Sequence, residues 1–177
     1  MPKKKWKIYA RQGEGGKDYA HKCYQNGMIA IGWSRAVKKL IRSSRREDIV
    51  EAIQDAYPGD SQRSYSQEAG SIWRFLKEVK KGDIVLMPVQ KSGHAYYGEI
   101  ASLRPYISEI VDECPFKTRR RVNWKKGLFQ DPKVPGDNTV NEIEKMPTPK
   151  PTPERKDYHK PQPDKEFGRK AEKIALW

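Results

Sequence analysis

The stretch Ser66 to Ile100, SQEAGSIWRFLKEVKKGDIVLMPVQKSGHAYYGEI, reads as a helix, a stop and a β-hairpin, and the rest of the chain arranges itself around that reading. Ile72, Phe75, Leu76 and Val79 recur at helical spacing, so one face is apolar while Arg74, Lys77 and Lys80 lie off it. Ser66 is the expected N-cap. Lys80 and Lys81 suit the negative end of the helix dipole, and Gly82 suits the left-handed stop. Asp83 to Met87 predicts a largely buried strand, Gln90-Lys91-Ser92-Gly93 a turn, and His94 to Ile100 the returning partner. A helix that delivers a Gly-Asp into a long hairpin is one way to build a small closed β-barrel.

Working outward, Trp6 to Ala10 alternates and predicts the first strand, followed by a flexible loop at 11–16. That loop lacks the Gly-Lys-Ser/Thr of a phosphate loop. Asp18 is expected to cap a short helix through Asn26, with Gly27 ending it and Tyr19, Cys23 and Tyr24 toward the core. Met28 to Trp33 predicts the second strand, and Ser34 opens an exposed basic loop. Ser44-Arg45-Arg46-Glu47 has capping-box spacing ahead of a helix that buries Ile49, Ala52, Ile53 and Ala56 and ends at Pro58-Gly59. Downstream, Leu103 to Val111 predicts a strand broken at Pro105, at an edge or bulge, and Arg119 to Trp124 a closing strand. Strands dominate without a βαβ rhythm, so the expected class is α+β: a small curled β-barrel with flanking helices.

The 177 residues predict one globular domain over 1–133, a Pro-rich linker over 134–166 and the start of a helix over 167–177. Six of the thirteen prolines fall between 147 and 163, which favours extended chain over packing. The final helix looks like the opening of a further, truncated domain. No apolar run reaches membrane-spanning length, and no apolar segment follows the basic start, so neither a membrane span nor a secretory signal is expected. Cys23 and Cys114 lack a C-x-x-C partner and read as free thiols of a reducing cytoplasm. Net charge is +13, with 27 Lys/Arg against 15 Asp/Glu before residue 134 and 9 against 8 after it. The excess belongs to the folded part and favours a nucleic-acid partner over a membrane.

Catalytic patterns do not assemble. His21, His94 and His159 are scattered, without metal-ligand spacing, so no metal or cofactor is expected. Asp83 with Glu99-Ile100-Ala101 approaches a D…E-x-K nuclease core, but Ala101 stands where the lysine is needed. Asp83 is expected to hydrogen-bond the turn instead. The aromatic residues are the stronger signal, because unstacked bases are held by aromatic faces. Trp6 and Trp124 read as core. Trp33, after Gly32 at a strand end, is placed for a half-exposed site role, and Trp73 fits either role. Arg35, Lys38, Lys39, Arg42, Arg45 and Arg46 cluster after Trp33, and Arg119, Arg120 and Arg121 lie along a strand. Such groups beside an aromatic pocket would grip phosphates.

The ordered set of an initial Trp strand, an Arg-x-Gly loop, Ile29-Ala30-Ile31-Gly32-Trp33, Ala69-Gly70-Ser71-Ile72-Trp73-Arg74-Phe75, Lys81-Gly82-Asp83-Ile84-Val85, Tyr97-Gly98-Glu99-Ile100 and Arg121-Val122-Asn123-Trp124 resembles a known family. Residues 5–130 look like the N-terminal domain of Mrr-like, modification-dependent (type IV) restriction proteins, within the PUA-like group that includes EVE, YTH and SRA domains. The resemblance implies a PUA-like barrel that flips a modified base of DNA into an aromatic pocket for phage defence, with the nuclease on a separate downstream domain. By position it points to Trp33 and Gly32, to Ser71 and Trp73, to Tyr97 and, more weakly, to Arg11 as pocket residues. The basic residues, read by themselves, add Arg35, Lys38, Lys39, Arg42, Arg119, Arg120 and Arg121 as the expected phosphate contacts. The chain therefore reads as a non-catalytic recognition domain. The alternatives are a YTH-like reader of methylated RNA, a nucleic-acid-processing enzyme and a protein-interaction module.

Overall fold

The computed structural model describes residues 1–12, 16–109 and 114–153. Along the chain run β1 (Lys5–Ile8), α1 (Ala20–Gln25), β2 (Met28–Ile31), a 3-10 turn (Ser34–Ala36) leading into α2 (Val37–Arg42), and α3 (Arg46–Ala56). Then come α4 (Gln62–Trp73) with a π-helical turn (Arg74–Glu78) at its end, β3 (Ile84–Val89), β4 (His94–Ile100), β5 (Tyr106–Ile107), β6 (Thr118–Trp124), β7 (Phe129–Gln130) and β8 (Val140–Glu142). The strands make one sheet in the order β2-β6-β4-β3-β1-β8, with β5 on β6 and β7 on β4. The sheet is strongly curled into a half-barrel carrying four helices, an α+β architecture.

The central hairpin pairs Ile84 with Glu99 through Val89 with His94. Strand alternation then sorts its side chains. Val85, Met87 and Tyr96 enter the main core, while Leu86 and Ala95 enter a second cluster with Val134, Ile143 and Met146. Tyr96 stacks on Tyr24 at 4.1 Å between ring centroids. Asp83, buried just before β3, accepts from Lys80 N (2.9 Å), Lys4 N (3.1 Å) and the Trp6 indole Nε1 (2.8 Å). One carboxylate thus ties the turn after the π-helix to β1, which lies parallel to β3.

Helix starts differ from expectation by a few residues. Ser61, not Ser66, caps α4, its Oγ accepting from Ser64 N at 3.1 Å. Ser66 lies inside the helix, because the cap falls directly after the Gly59-Asp60 turn. At α3 the box is Arg45 with Asp48, whose Oδ2 accepts from Arg45 N at 2.9 Å. Asp18 does lead into α1, its Oδ1 accepting from Ala20 N at 2.9 Å. The basic segment after Trp33 is helical rather than a loop. Val37 and Leu40 are buried, and Lys38, Lys39 and Arg42 point outward.

The sheet also extends past residue 133, into the segment expected to be a linker. β8 pairs with β1, Val140 is fully buried, and Lys7 Nζ donates to Val134 O at 2.8 Å. Pro151 bridges Phe129 beyond it. The strand expected over 103–111 is reduced to β5, with 110–111 outside the described residues. Part of the 11–16 loop, the linker beyond 153 and the helix expected over 167–177 also lie outside them. Among the described residues, no helix is long and apolar enough to cross a membrane.

Candidate functional site

β2 ends at Ile31, and the chain turns at Trp33 with φ 62° and ψ 36°. A left-handed backbone is strained for a bulky residue, by about 1–2 kcal/mol, and such strain collects at functional sites. The turn places Trp33 half-buried in a cleft of about 410 Å³. Its indole Nε1 donates to Glu68 Oε2, on α4, at 2.9 Å. Tyr57, the residue ending α3, stands on the cleft wall with the Arg35 guanidinium 4.1 Å over its ring, and its hydroxyl accepts from Arg35 N at 3.1 Å. Phe116 forms another wall against Gly32, where a Cβ would lie 3.7 Å from the ring. Arg11 reaches the cleft while stacked 4.3 Å over Tyr9. Asp60 and Glu68 bring carboxylates to the same space.

Of the six pocket residues named from sequence, Arg11, Gly32 and Trp33 line this cleft, and Ser71, Trp73 and Tyr97 do not. Ser71 is buried, and its Oγ accepts from Val140 N at 3.3 Å, which fastens β8 to α4. Trp73 is half-buried against the main core. Tyr97 alternates to the other face of β4 and meets Phe129 edge-on at 5.6 Å. Tyr57, Asp60, Glu68 and Phe116 were missed. The Pro58-Gly59 stop marks Tyr57 as a helix-end side chain, but Glu68 and Phe116 carry no signal of their own in the sequence.

The residues 6–144 match the family described as Domain of unknown function (DUF8426). The chain belongs to the DUF8426 family. No curated protein matches it. The DUF8426 match starts at Trp6 in β1 and runs through β8, beyond the boundary expected at 133.

The seven basic residues expected at phosphates fall into three groups in the DUF8426 domain. Arg35, Lys38, Lys39 and Arg42 are exposed along the 3-10 turn and α2, which follow Trp33 in the chain, with Lys39 paired to Asp55 at 2.9 Å. Arg121 is half-buried on β6. Arg119 and Arg120 are only 2% and 1% exposed, which corrects their expected place on an open strand face. Adjacent residues of a strand point to opposite faces, and here one face is covered by the segment at Cys114 and Phe116 and the other by the π-helical turn. Arg119 instead donates from Nε to Phe116 O (2.9 Å) and from Nη2 to Cys114 O (3.1 Å), bracing the segment that carries the cleft wall. Arg120 donates from Nε to Phe75 O (2.8 Å) and from Nη2 to Leu76 O (3.2 Å), carbonyls of the π-helical turn. Burial lowers the Arg120 pKa to about 10, only partly offset by Asp83.

Proposed function

We propose that this domain is a PUA-like reader of nucleic acid, DNA carrying a modified base first, which takes that base into the Trp33 cleft. It would serve as the recognition part of a modification-dependent restriction system, with cleavage carried by a separate domain. The observation that carries the reading is Trp33 itself: a tryptophan held in left-handed backbone at the wall of a cleft and tied by its indole to Glu68. An aromatic wall suits an unstacked base. Glu68 and Asp60 favour a base edge bearing an N–H and repel a phosphate, so a base rather than backbone is the fitting occupant. The exposed cations of the 3-10 turn and α2, which follow Trp33 in the chain, would hold backbone phosphates.

The test is a binding titration at fixed salt, about 0.15 M, because affinity for polyanions falls steeply with salt. Matched duplexes carry cytosine, 5-methylcytosine, 5-hydroxymethylcytosine, its glucosylated form or N6-methyladenine, with single-stranded RNA counterparts alongside. Preference for one modified duplex that collapses in Trp33→Ala is expected. Preference for a modified RNA would move the reading to a YTH-like reader. Equal binding to all, unchanged in Trp33→Ala, would return Trp33 to a packing role.

A further inference from the structure

A second cleft, of about 300 Å³, opens between α2, the π-helical turn and the segment before β5. Its lining includes Lys77, Lys80, Arg104 and Arg120, and none of its lining residues is acidic. Leu103, at its edge, is 77% exposed, an unusual position for a leucine. Arg120 underlies the cleft. Two of its nitrogens are held by the carbonyls of Phe75 and Leu76, but Nη1 is buried and has no acceptor among the described residues. A buried guanidinium N–H without an acceptor is rare in folded proteins, and leaving it so is unfavourable.

The π-helical turn explains why the group sits there. Val79 N reaches back to Arg74 O at 2.8 Å, five residues away, and the widened turn presents the Phe75 and Leu76 carbonyls to Arg120. Those carbonyls fix the guanidinium plane. They leave one donor, Nη1, over, on a residue that lines the cleft.

We propose that this second cleft is an oxyanion site that takes a phosphate group. Arg120 would supply a fixed donor from beneath, and Lys77 and Lys80 charge from the rim. Arginine held in one plane is well suited to phosphate oxygens. The phosphate could belong to a nucleic-acid backbone diester or to a small phosphomonoester; the chemistry recognised is the same.

The test uses the full chain, labelled with nitrogen-15 and titrated with inorganic phosphate at constant ionic strength. The expected result is a saturable shift of the Arg120 Nε–Hε signal together with the amides of Leu76, Lys77 and Val79. Arg120→Gln removes a buried brace and can unfold the chain, so the Lys77→Ala/Lys80→Ala double variant carries the comparison. It is expected to weaken phosphate binding by about tenfold while leaving the urea midpoint unchanged. Dimethyl phosphate binding at the same signals assigns the site to backbone diesters; binding of methyl phosphate alone assigns it to monoesters. Shifts that follow ionic strength without saturating, alike in the double variant, overturn the proposal. No modified base enters this assay, so its failure leaves the reading of the Trp33 cleft standing or falling on its own titration.

Discussion

Trp33 Nε1 donates to Glu68 Oε2 at 2.9 Å, a bond that joins the turn after β2 to the middle of α4, 35 residues later. It is the means by which a strained backbone turn holds its ring in one place. Glu68→Ala is expected to lower stability by about 1 kcal/mol and to reduce the near-UV circular dichroism contributed by a fixed indole. Glu68→Gln keeps an acceptor oxygen and is expected to restore most of that signal. An unchanged spectrum in Glu68→Ala would show that packing alone positions the ring.

Asp83 is the acceptor for three donors from two distant segments. Asp83→Ala leaves the Trp6 indole N–H, already fully buried, without an acceptor. The expected loss is about 3 kcal/mol, read from urea unfolding. A loss well under about 1 kcal/mol would mean the carboxylate behaves as a surface group.

Residues beyond 133 complete the sheet, so two truncations should behave differently. A chain ending at 153 keeps β8, the Val140 contacts with Ser71 and Arg74, and the second apolar cluster. It is expected to keep the stability that these contacts supply and to unfold cooperatively in urea. A chain ending at 133 loses all of these and is expected to unfold at much lower urea or to aggregate through the uncovered β1 edge. Equal midpoints for the two would overturn the placement of β8.

Cys23 and Cys114 are buried and not joined in a disulfide. The hydrogen bond with Cys114 and then burial push the Cys23 thiol well above its ordinary range. Above about pH 8.5, the ordinary thiol value, the unfolded chain releases a proton that the folded chain keeps. The folded state therefore loses stability as pH rises from that value toward the raised one. Urea midpoints across this window should fall more steeply for the native chain than for Cys23→Ala. Alkylation of the native protein should stay slow throughout.

The hairpin, the first two strands and three of the helices were legible because they carry local signals such as the alternation in Trp6 to Ala10, the Ile72–Val79 stripe and the Gly-Asp stop. What was not legible depends on partners distant in sequence. Nothing in Val140-Asn141-Glu142 announces a strand; it becomes one because β1 has an open edge. Tyr97 and Tyr96 are adjacent, and which one faces the main core follows from a register that β3 fixes. Arg119 and Arg120 look like a surface stripe until the segment at Cys114 and Phe116 and the π-helical turn cover the two faces of β6. The cleft shows the same divide. Trp33 stands out at a strand end, whereas Glu68 and Phe116 acquire a role only when α4 and the segment before β6 are brought beside it.

β1 lies between β3 and β8, so the first strand of this sheet to be synthesised is gripped by two of the later ones. Its indole waits 77 residues for Asp83, and its outer edge waits for Val140. Pairings so distant along the chain close slowly. During synthesis one edge of β1 can pair as soon as β3 has emerged, whereas its other edge stays open until residue 142 has followed. Over that interval the open edge is exposed to pairing with the wrong strand, and β8 closes off that risk only when it docks.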